Sequence, residues 1–276
     1  MSLKEMLKDK LSEEELKILR RSFEIIGDIA IIEIPDELMS KKELIADAIL
    51  KKHKQIKTIL RKVGEVDGIF RVARYEKIYG EKTETMAKEH GCRFLVDPTK
   101  VYFSSKLSTE RERIARLVKE GERVLVMFAG VGPYAIVISK LSKAKEIVGV
   151  ELNRIAVEYF RKNVQLNKVE NVVVIEGDVA EVVPKLEGKF DRILMPAPYS
   201  AENFVYLVRG KVNNGGFVHY YTFESENYEE EIPKKVEEIF LKNGILAKVI
   251  FMRRCGSFAP YVNRYAVDVQ YLGEIK

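Results

Sequence analysis

What the chain lacks narrows it first. None of its 276 residues falls in an apolar run as long as a membrane span, and the opening stretch MSLKEMLKDK has no apolar signal core. A cytoplasmic protein with no membrane partner is expected. There are only two cysteines, Cys92 and Cys255, in no metal-binding or redox spacing, so no metal and two reduced thiols are expected. Glutamine is scarce too, confined to Gln55, Gln165 and Gln270, while Lys and Glu are abundant, which hints at a heat-adapted source. Neither sign of charge dominates. The net +5 permits a nucleic-acid partner without proving one. With 46% hydrophobic and 32% charged residues, the chain can build one large domain or two modest ones with ample core.

What is present centres on Val124–Gly132. Val124 to Phe128 reads as a strand buried on both faces; Gly130 and Gly132 make a tight loop; Pro133 and the apolar run Tyr134 to Ile138 begin a helix. Strand, Gly-rich turn and helix form the front of a nucleotide-binding βαβ unit, with the backbone free to approach a ligand and helix N–H groups to meet its polar part. The turn alone is not specific: Gly130-x-Gly132-x-x-Ala135 also meets the looser dinucleotide fingerprint. The next strand, Ile147 to Val150, ends in Glu151, where a ribose-binding carboxylate is expected. A third, Val172 to Ile175, leads to Asp178 at the same edge, where it can accept from an adenine amino group. Solvated strand ends or helix caps would account for either acid alone.

Elsewhere the pattern predicts a helix from Leu3 to Ser22, a strand from Ile29 to Ile34, and a helix opened by Pro35-Asp36-Glu37 that runs to about Val63. Lys41, Lys42, Lys51, Lys52, Lys54, Lys57, Arg61 and Lys62 would make that helix basic on one side, as a phosphate-facing or simply solvated surface. A strand begins at Gly68-Ile69-Phe70-Arg71-Val72, a hairpin turns near Glu89–Gly91, and Val101 to Phe103 is a short strand. Ser108 is the expected N-cap of a helix that Gly121 ends. A domain boundary is expected near Lys100–Ser108, giving domains 1–105 and 106–276. Further strands at Phe190 to Met195, Gly215 to Tyr221, Ala247 to Met252 and Tyr265 to Tyr271 give a mostly parallel sheet with an antiparallel final strand. A loop is expected at Arg253–Asn263. Pro196-Ala197-Pro198 makes a rigid loop at the carboxyl edge, and Ser200 caps the next helix, Ala201–Val208.

Four stretches together resemble the archaeal and eukaryotic tRNA guanosine N1-methyltransferases, with the wybutosine-pathway aminocarboxypropyl transferases as close relatives. They are Met127 to Pro133, Val101 to Ser104, Leu107 to Arg111, and Val218 to Tyr221. The resemblance covers nearly the whole chain. It implies an α/β fold: a class I, Rossmann-like methyltransferase sheet with a smaller N-terminal α+β domain that contacts RNA. It implies S-adenosyl-L-methionine as cofactor, the tRNA anticodon stem-loop as partner, and action as a monomer on the purine just 3′ of the anticodon. Glu110 matches the family's general base and Arg71 its catalytic arginine. The cofactor-binding residues that the match implies are Lys106, Phe128, Gly130, Val131, Gly132, Glu151, Leu152, Asn153, Asp178, Val179 and Pro196. The substrate-binding ones are Arg111, Pro198 and Tyr199.

The chain departs from the family pattern at Val126, where an Asp is usual, and at Lys106, where an Arg is common. It also has Pro196-Ala197-Pro198 in place of Asn-Leu-Pro. Such a Pro-containing loop resembles archaeal members that also methylate C7 of 4-demethylwyosine. Aminocarboxypropyl transfer, a nicotinamide oxidoreductase and a non-catalytic RNA-binding protein are the alternatives.

Overall fold

Local contacts divide the chain into two units, Met1–Glu89 with Arg93–Ser105, and His90–Cys92 with Lys106–Lys276. The computed structural model describes residues 3–20, 22–67, 72–196, 201–259 and 261–275. Among these, no helix is long and apolar enough to cross a membrane.

The first unit holds α1 (Leu3–Leu7), α2 (Glu13–Ile18), β1 (Glu24–Ile26), β2 (Ile29–Ile32), α3 (Lys42–Lys52), β3 (Thr58–Asp67), β4 (Val72–Tyr79), β5 (Thr85–Glu89) and β6 (Cys92–Val96). β1 to β4 form one sheet in sequence order, with β2 and β3 parallel and the other neighbours antiparallel. β5 and β6 form the hairpin expected around Glu89–Gly91. Leu3, Leu7, Ala30, Ile32, Ile45, Ile49 and Ile59 share its core.

Three expectations fail here. The first helix is broken in two because Ser12 starts afresh: its Oγ accepts from Glu15 N (3.2 Å) while its own N donates to Glu15 Oε2 (2.9 Å), a reciprocal cap. The basic helix ends at Lys52, not Val63. β-Branched Thr58 and Ile59 extend into β3 and pair with Ile29 and Ala30 of β2. Arg61 is therefore buried inside the unit, bonded to Ile34 O (2.8 Å), Glu76 Oε2 (3.1 Å) and Asp36. Val101 to Phe103 is not a strand; Phe94 and Phe103 meet as a side-chain pair with ring centroids 5.9 Å apart.

The second unit holds α4 (Ser108–Leu117), β7 (Arg123–Met127), α5 (Pro133–Leu141), β8 (Glu146–Glu151), α6 (Arg154–Asn167), β9 (Val172–Glu176), α7 (Val179–Val182), β10 (Phe190–Met195), β11 (Val212–Ser225), α8 (Ile232–Lys242), β12 (Ile245–Ala259) and β13 (Val262–Glu274). The sheet runs β12-β13-β11-β10-β7-β8-β9. β9, β8, β7, β10 and β11 pair in parallel, and β13 is antiparallel to both β11 and β12. Strand order reverses between β7 and β10, so their carboxyl ends flank the crevice where such sheets bind ligands. Leu125, Met127, Val148, Val150, Ile193 and Val218 belong to one buried cluster, because strands covered on both faces have no polar side.

The expected loop at Arg253–Asn263 is instead two long strand ends, paired out to Ala259 and Val262. Ser108 does not cap α4. Leu107 precedes the helix, and Ser108 Oγ meets His90 Nε2 at 2.8 Å. The helix also stops earlier than Gly121, at Leu117.

Candidate active site

The glycine turn follows β7 directly. Phe128, Gly130 and Gly132 all have left-handed backbones, with φ of 54°, 57° and 86°. That conformation is unfavourable for Phe128, whose ring packs edge-on against Phe204 with centroids 5.0 Å apart. Gly132 is glycine for a packing reason as well: a Cβ there would lie 2.0 Å from the Phe160 ring of α6. Asn163, also on α6, donates to Val131 O (3.1 Å). Ala129 N bonds Val150 O (2.9 Å), tying the turn to β8. The loop is thus clamped from two sides before any ligand is considered.

Glu151 ends β8 and faces this turn. Its Oε2 accepts from Gly130 N (2.7 Å) and its Oε1 from Asn153 N (2.8 Å). Burial raises the Glu151 pKa, while the N–H groups of Asn153, Gly130 and Leu152 oppose the rise. Asn153 caps α6, with Oδ1 3.0 Å from Ile155 N. Asp178 caps α7, its Oδ1 accepting from Ala180 N (2.8 Å). Leu152 is exposed, Pro196 is half-buried after β10, and Lys106 is exposed ahead of α4. Val131 and Val179 are buried, so only their main chains can meet a ligand.

Glu110 lies on the first turn of α4, and only 2% of it is exposed. Arg113 grips it with two bonds, Nε to Oε2 (2.9 Å) and Nη2 to Oε1 (2.7 Å). Tyr221 of β11 donates to Oε1 (2.9 Å), and Tyr134 donates in turn to the Tyr221 hydroxyl (3.0 Å). Tyr134 is the second residue of α5. A hydrogen-bonded string therefore joins Glu110 to the helix that opens at the glycine turn. Burial pushes both tyrosines' pKa values up, so they serve as neutral donors. Arg253 of β12 is partly exposed, with its Nε 4.0 Å from Glu110 Oε2. Arg111, expected to meet substrate, is instead 2% exposed; its guanidinium lies 5.9 Å from the centre of the Tyr134 ring.

The profile of the TRM5/TYW2 methyltransferase domain matches residues 85–247, more than half of the sequence, and that of the TYW2 N-terminal domain matches residues 3–83. The chain belongs to the TRM5/TYW2 methyltransferase family. It is 39% identical over 259 residues to the tRNA (guanine(37)-N(1))-methyltransferase Trm5b of Pyrococcus abyssi, covering 93% of this chain and 76% of that one. The crystal structure of that Trm5b superposes with a TM-score of 0.84 over 95% of this chain and 78% of its own. The tRNA 4-demethylwyosine(37)-methyltransferase Taw21 of Saccharolobus solfataricus is 37% identical over 252 residues, 91% of this chain and 94% of that one. A Methanocaldococcus jannaschii TYW2 solved with AdoMet has a TM-score of 0.68 at 28% identity, over 91% of this chain and all of that one. The α/β architecture, with a Rossmann-like methyltransferase sheet and a smaller N-terminal domain, is the one these TRM5/TYW2 relatives share.

The residues of this TRM5/TYW2 chain suit an adenosine-bearing cofactor. An ionised carboxylate offers about four lone-pair positions. Glu151 accepts from the main-chain N–H groups of Gly130 and Asn153, with that of Leu152 also acting on it, which leaves acceptor capacity for a ribose hydroxyl beside the glycine turn. Arg71, Pro198 and Tyr199 lie outside the described residues, as does Ser200. Of the residues around Glu110, Arg113 was legible as an i,i+3 neighbour. Tyr221 and Asp268 were not: they lie 111 residues from Glu110 and 155 from Arg113.

Proposed function

We propose that this chain is an S-adenosylmethionine-dependent tRNA methyltransferase that methylates N1 of the guanosine at position 37, just 3′ of the anticodon. The observation that carries this reading is the string Tyr134–Tyr221–Glu110, which joins a buried carboxylate to the helix that opens at the glycine turn. Bound S-adenosylmethionine would supply an electrophilic methyl group. Phe128, Gly130, Val131 and Gly132 offer main chain to it; Glu151, Leu152 and Asn153 the ribose side; Asp178 and Val179 the adenine side; Lys106 and Pro196 the rim.

The guanine N1 proton must leave as the methyl group arrives, because protonated N1 has no free lone pair. Glu110 takes that proton. Tyr221 and Arg113 fix the plane of its carboxylate, and a flipped-out base approaches past Arg253, the exposed group next to Oε2. Arg71 balances the charge that develops at O6. Pro198 and Tyr199 hold the base, while Arg111 backs Tyr134. In this reading residues 1–105 contact the anticodon stem-loop, residues 106–276 bind cofactor and catalyse, and the protein acts as a cytoplasmic monomer.

The Taw21 likeness and Pro196 favour a second activity at the same site, methylation of C7 of 4-demethylwyosine. The TYW2 N-terminal match favours testing aminocarboxypropyl transfer beside it. The deciding experiment supplies S-adenosylmethionine labelled separately in its methyl and carboxyl groups, with tRNA carrying either guanosine or 4-demethylwyosine at position 37. Methyl label on N1 of guanosine is the expected result by nucleoside mass spectrometry. Carboxyl label on the base, or no transfer to guanosine, overturns the proposal.

A further inference from the structure

The buried string continues beyond Glu110. Arg113 also bonds Asp268 of β13, Nη1 to Oδ2 at 2.6 Å and Nη2 to Oδ1 at 3.0 Å. Asp268 Oδ1 is 2.7 Å from His219 Nδ1, and His219 Nε2 is 3.3 Å from Arg192 Nη1. Arg192 is held in turn by Glu122, Nε to Oε2 at 2.6 Å. Register explains the juxtaposition: β11 and β13 pair His219 with Asp268 and Tyr221 with Ala266, so His219 and Tyr221 share the face that α4 covers.

The histidine tautomer follows from its neighbours. A guanidinium only donates, so Nε2 must accept from Arg192; the proton is then on Nδ1 and points at Asp268. Burial pushes the His219 pKa down, and Arg192 and Arg113 reinforce this against the pull of Asp268, so the ring is neutral. Burial works against ionised Asp268, yet His219 and Arg113 hold it well below the usual carboxylate range. Arg113 is consequently one cation shared by two buried carboxylates.

We infer that Asp268 and His219 are positioning residues for the transfer: they hold Arg113 and take part of its charge, so that Glu110 meets only the remainder. This rests on Glu110 being the base. The groups facing Glu110 are Arg113 and Arg111 on α4, Tyr134 on α5, Tyr221 on β11, Arg253 and Cys255 on β12, and Asp268 beyond Arg113. Burial and the Glu110 charge push the Cys255 thiol up to about 12, so it stays neutral, and both tyrosines do too. Arg113, bonded to both Glu110 and Asp268, is the cation through which Asp268 acts on the base.

The test uses the full chain with S-adenosylmethionine and unmodified tRNA, in single turnover from about pH 5 to 9. Asp268→Asn keeps the shape but leaves Arg113 with Glu110 as its one anionic partner, and also removes the repulsion between the two acids. Both changes leave more of the Arg113 charge to Glu110 alone. The acid limb of the rate profile should move to lower pH. The plateau rate should fall about tenfold, the scale of groups that act through another residue, with cofactor affinity within about twofold of the parent. If Asp268 were only a structural prop, its loss would loosen Arg113 and move the limb upward. A limb displaced upward, or left at the parent position, overturns the inference.

His219→Asn keeps an N–H donor near the Nδ1 position, and His219→Leu does not. The Asn variant should recover most of the rate that Leu loses; equal rates overturn the inference even if Asp268→Asn fails to fold. A fully active Glu110→Gln would instead remove the base assignment itself, which separates the two failures.

Discussion

The hydroxyls of Tyr134 and Tyr221 meet at 3.0 Å, and through them the helix after the glycine turn touches the carboxylate of Glu110. One tyrosine comes from α5, the other from β11, 87 residues later. The contact links the part of the sheet that suits a cofactor to the part that suits a base.

Removing that link should show in both stability and rate. Tyr221→Phe leaves Glu110 short of one donor and Tyr134 without its acceptor. The expected cost is about 1–3 kcal/mol, measured by denaturant unfolding. An unchanged unfolding midpoint would mean that the string contributes nothing to the fold.

Glu151→Ala should weaken S-adenosylmethionine binding by about 1–3 kcal/mol, the scale of a lost charged hydrogen bond. It also frees Gly130 N, which now donates to Glu151 at 2.7 Å. Calorimetry that finds parent affinity would place the ribose elsewhere.

Gly132→Ala introduces a Cβ 2.0 Å from the Phe160 ring at a left-handed φ of 86°. Overpacking and strain together predict a loss of about 2–4 kcal/mol in stability. Adding Phe160→Leu should restore part of it, because the clash is with that ring. No restoration in the double variant would assign the cost to the backbone alone.

Asp268 gives a pH dependence of stability. Its folded pKa lies below the unfolded one, so its contribution is fully present above the unfolded value and drains away as pH falls. Unfolding free energy should decline from about pH 5 downward, and Asp268→Asn should flatten that decline. Parallel pH curves for parent and variant would contradict the assigned shift.

The basic stretch now divides into two kinds of residue. Lys51, Lys52 and Lys54 are exposed, whereas Arg61 is buried between Asp36 and Glu76. Replacing the three lysines should flatten the salt dependence of tRNA binding by up to about one unit of slope per lost contact. Arg61→Ala should destabilise the first unit and leave that slope alone. An identical slope in the lysine triple variant would make that surface merely solvated.

Local chemistry was enough to read much of this chain from its sequence. Val124–Gly132 announces a buried strand, a turn and a helix, because apolar runs and paired glycines leave the backbone few alternatives. Glu151 and Asp178 follow from strand lengths alone. The same local signals failed where non-local pairing competed. Thr58 to Val63 carry a helix-compatible charge pattern, but pairing with β2 drew them into β3. Arg253–Asn263 looks like a loop, yet partner strands continue through it.

The surroundings of Glu110 belong wholly to the tertiary structure. Sequence alone determined that an acid stands at position 110 with an arginine three residues on. It could not determine that Tyr221, Asp268 and His219 close around that pair. Those residues share one face only because β11 and β13 pair in a particular register, and a one-residue slip would turn every side chain to the opposite side of the sheet.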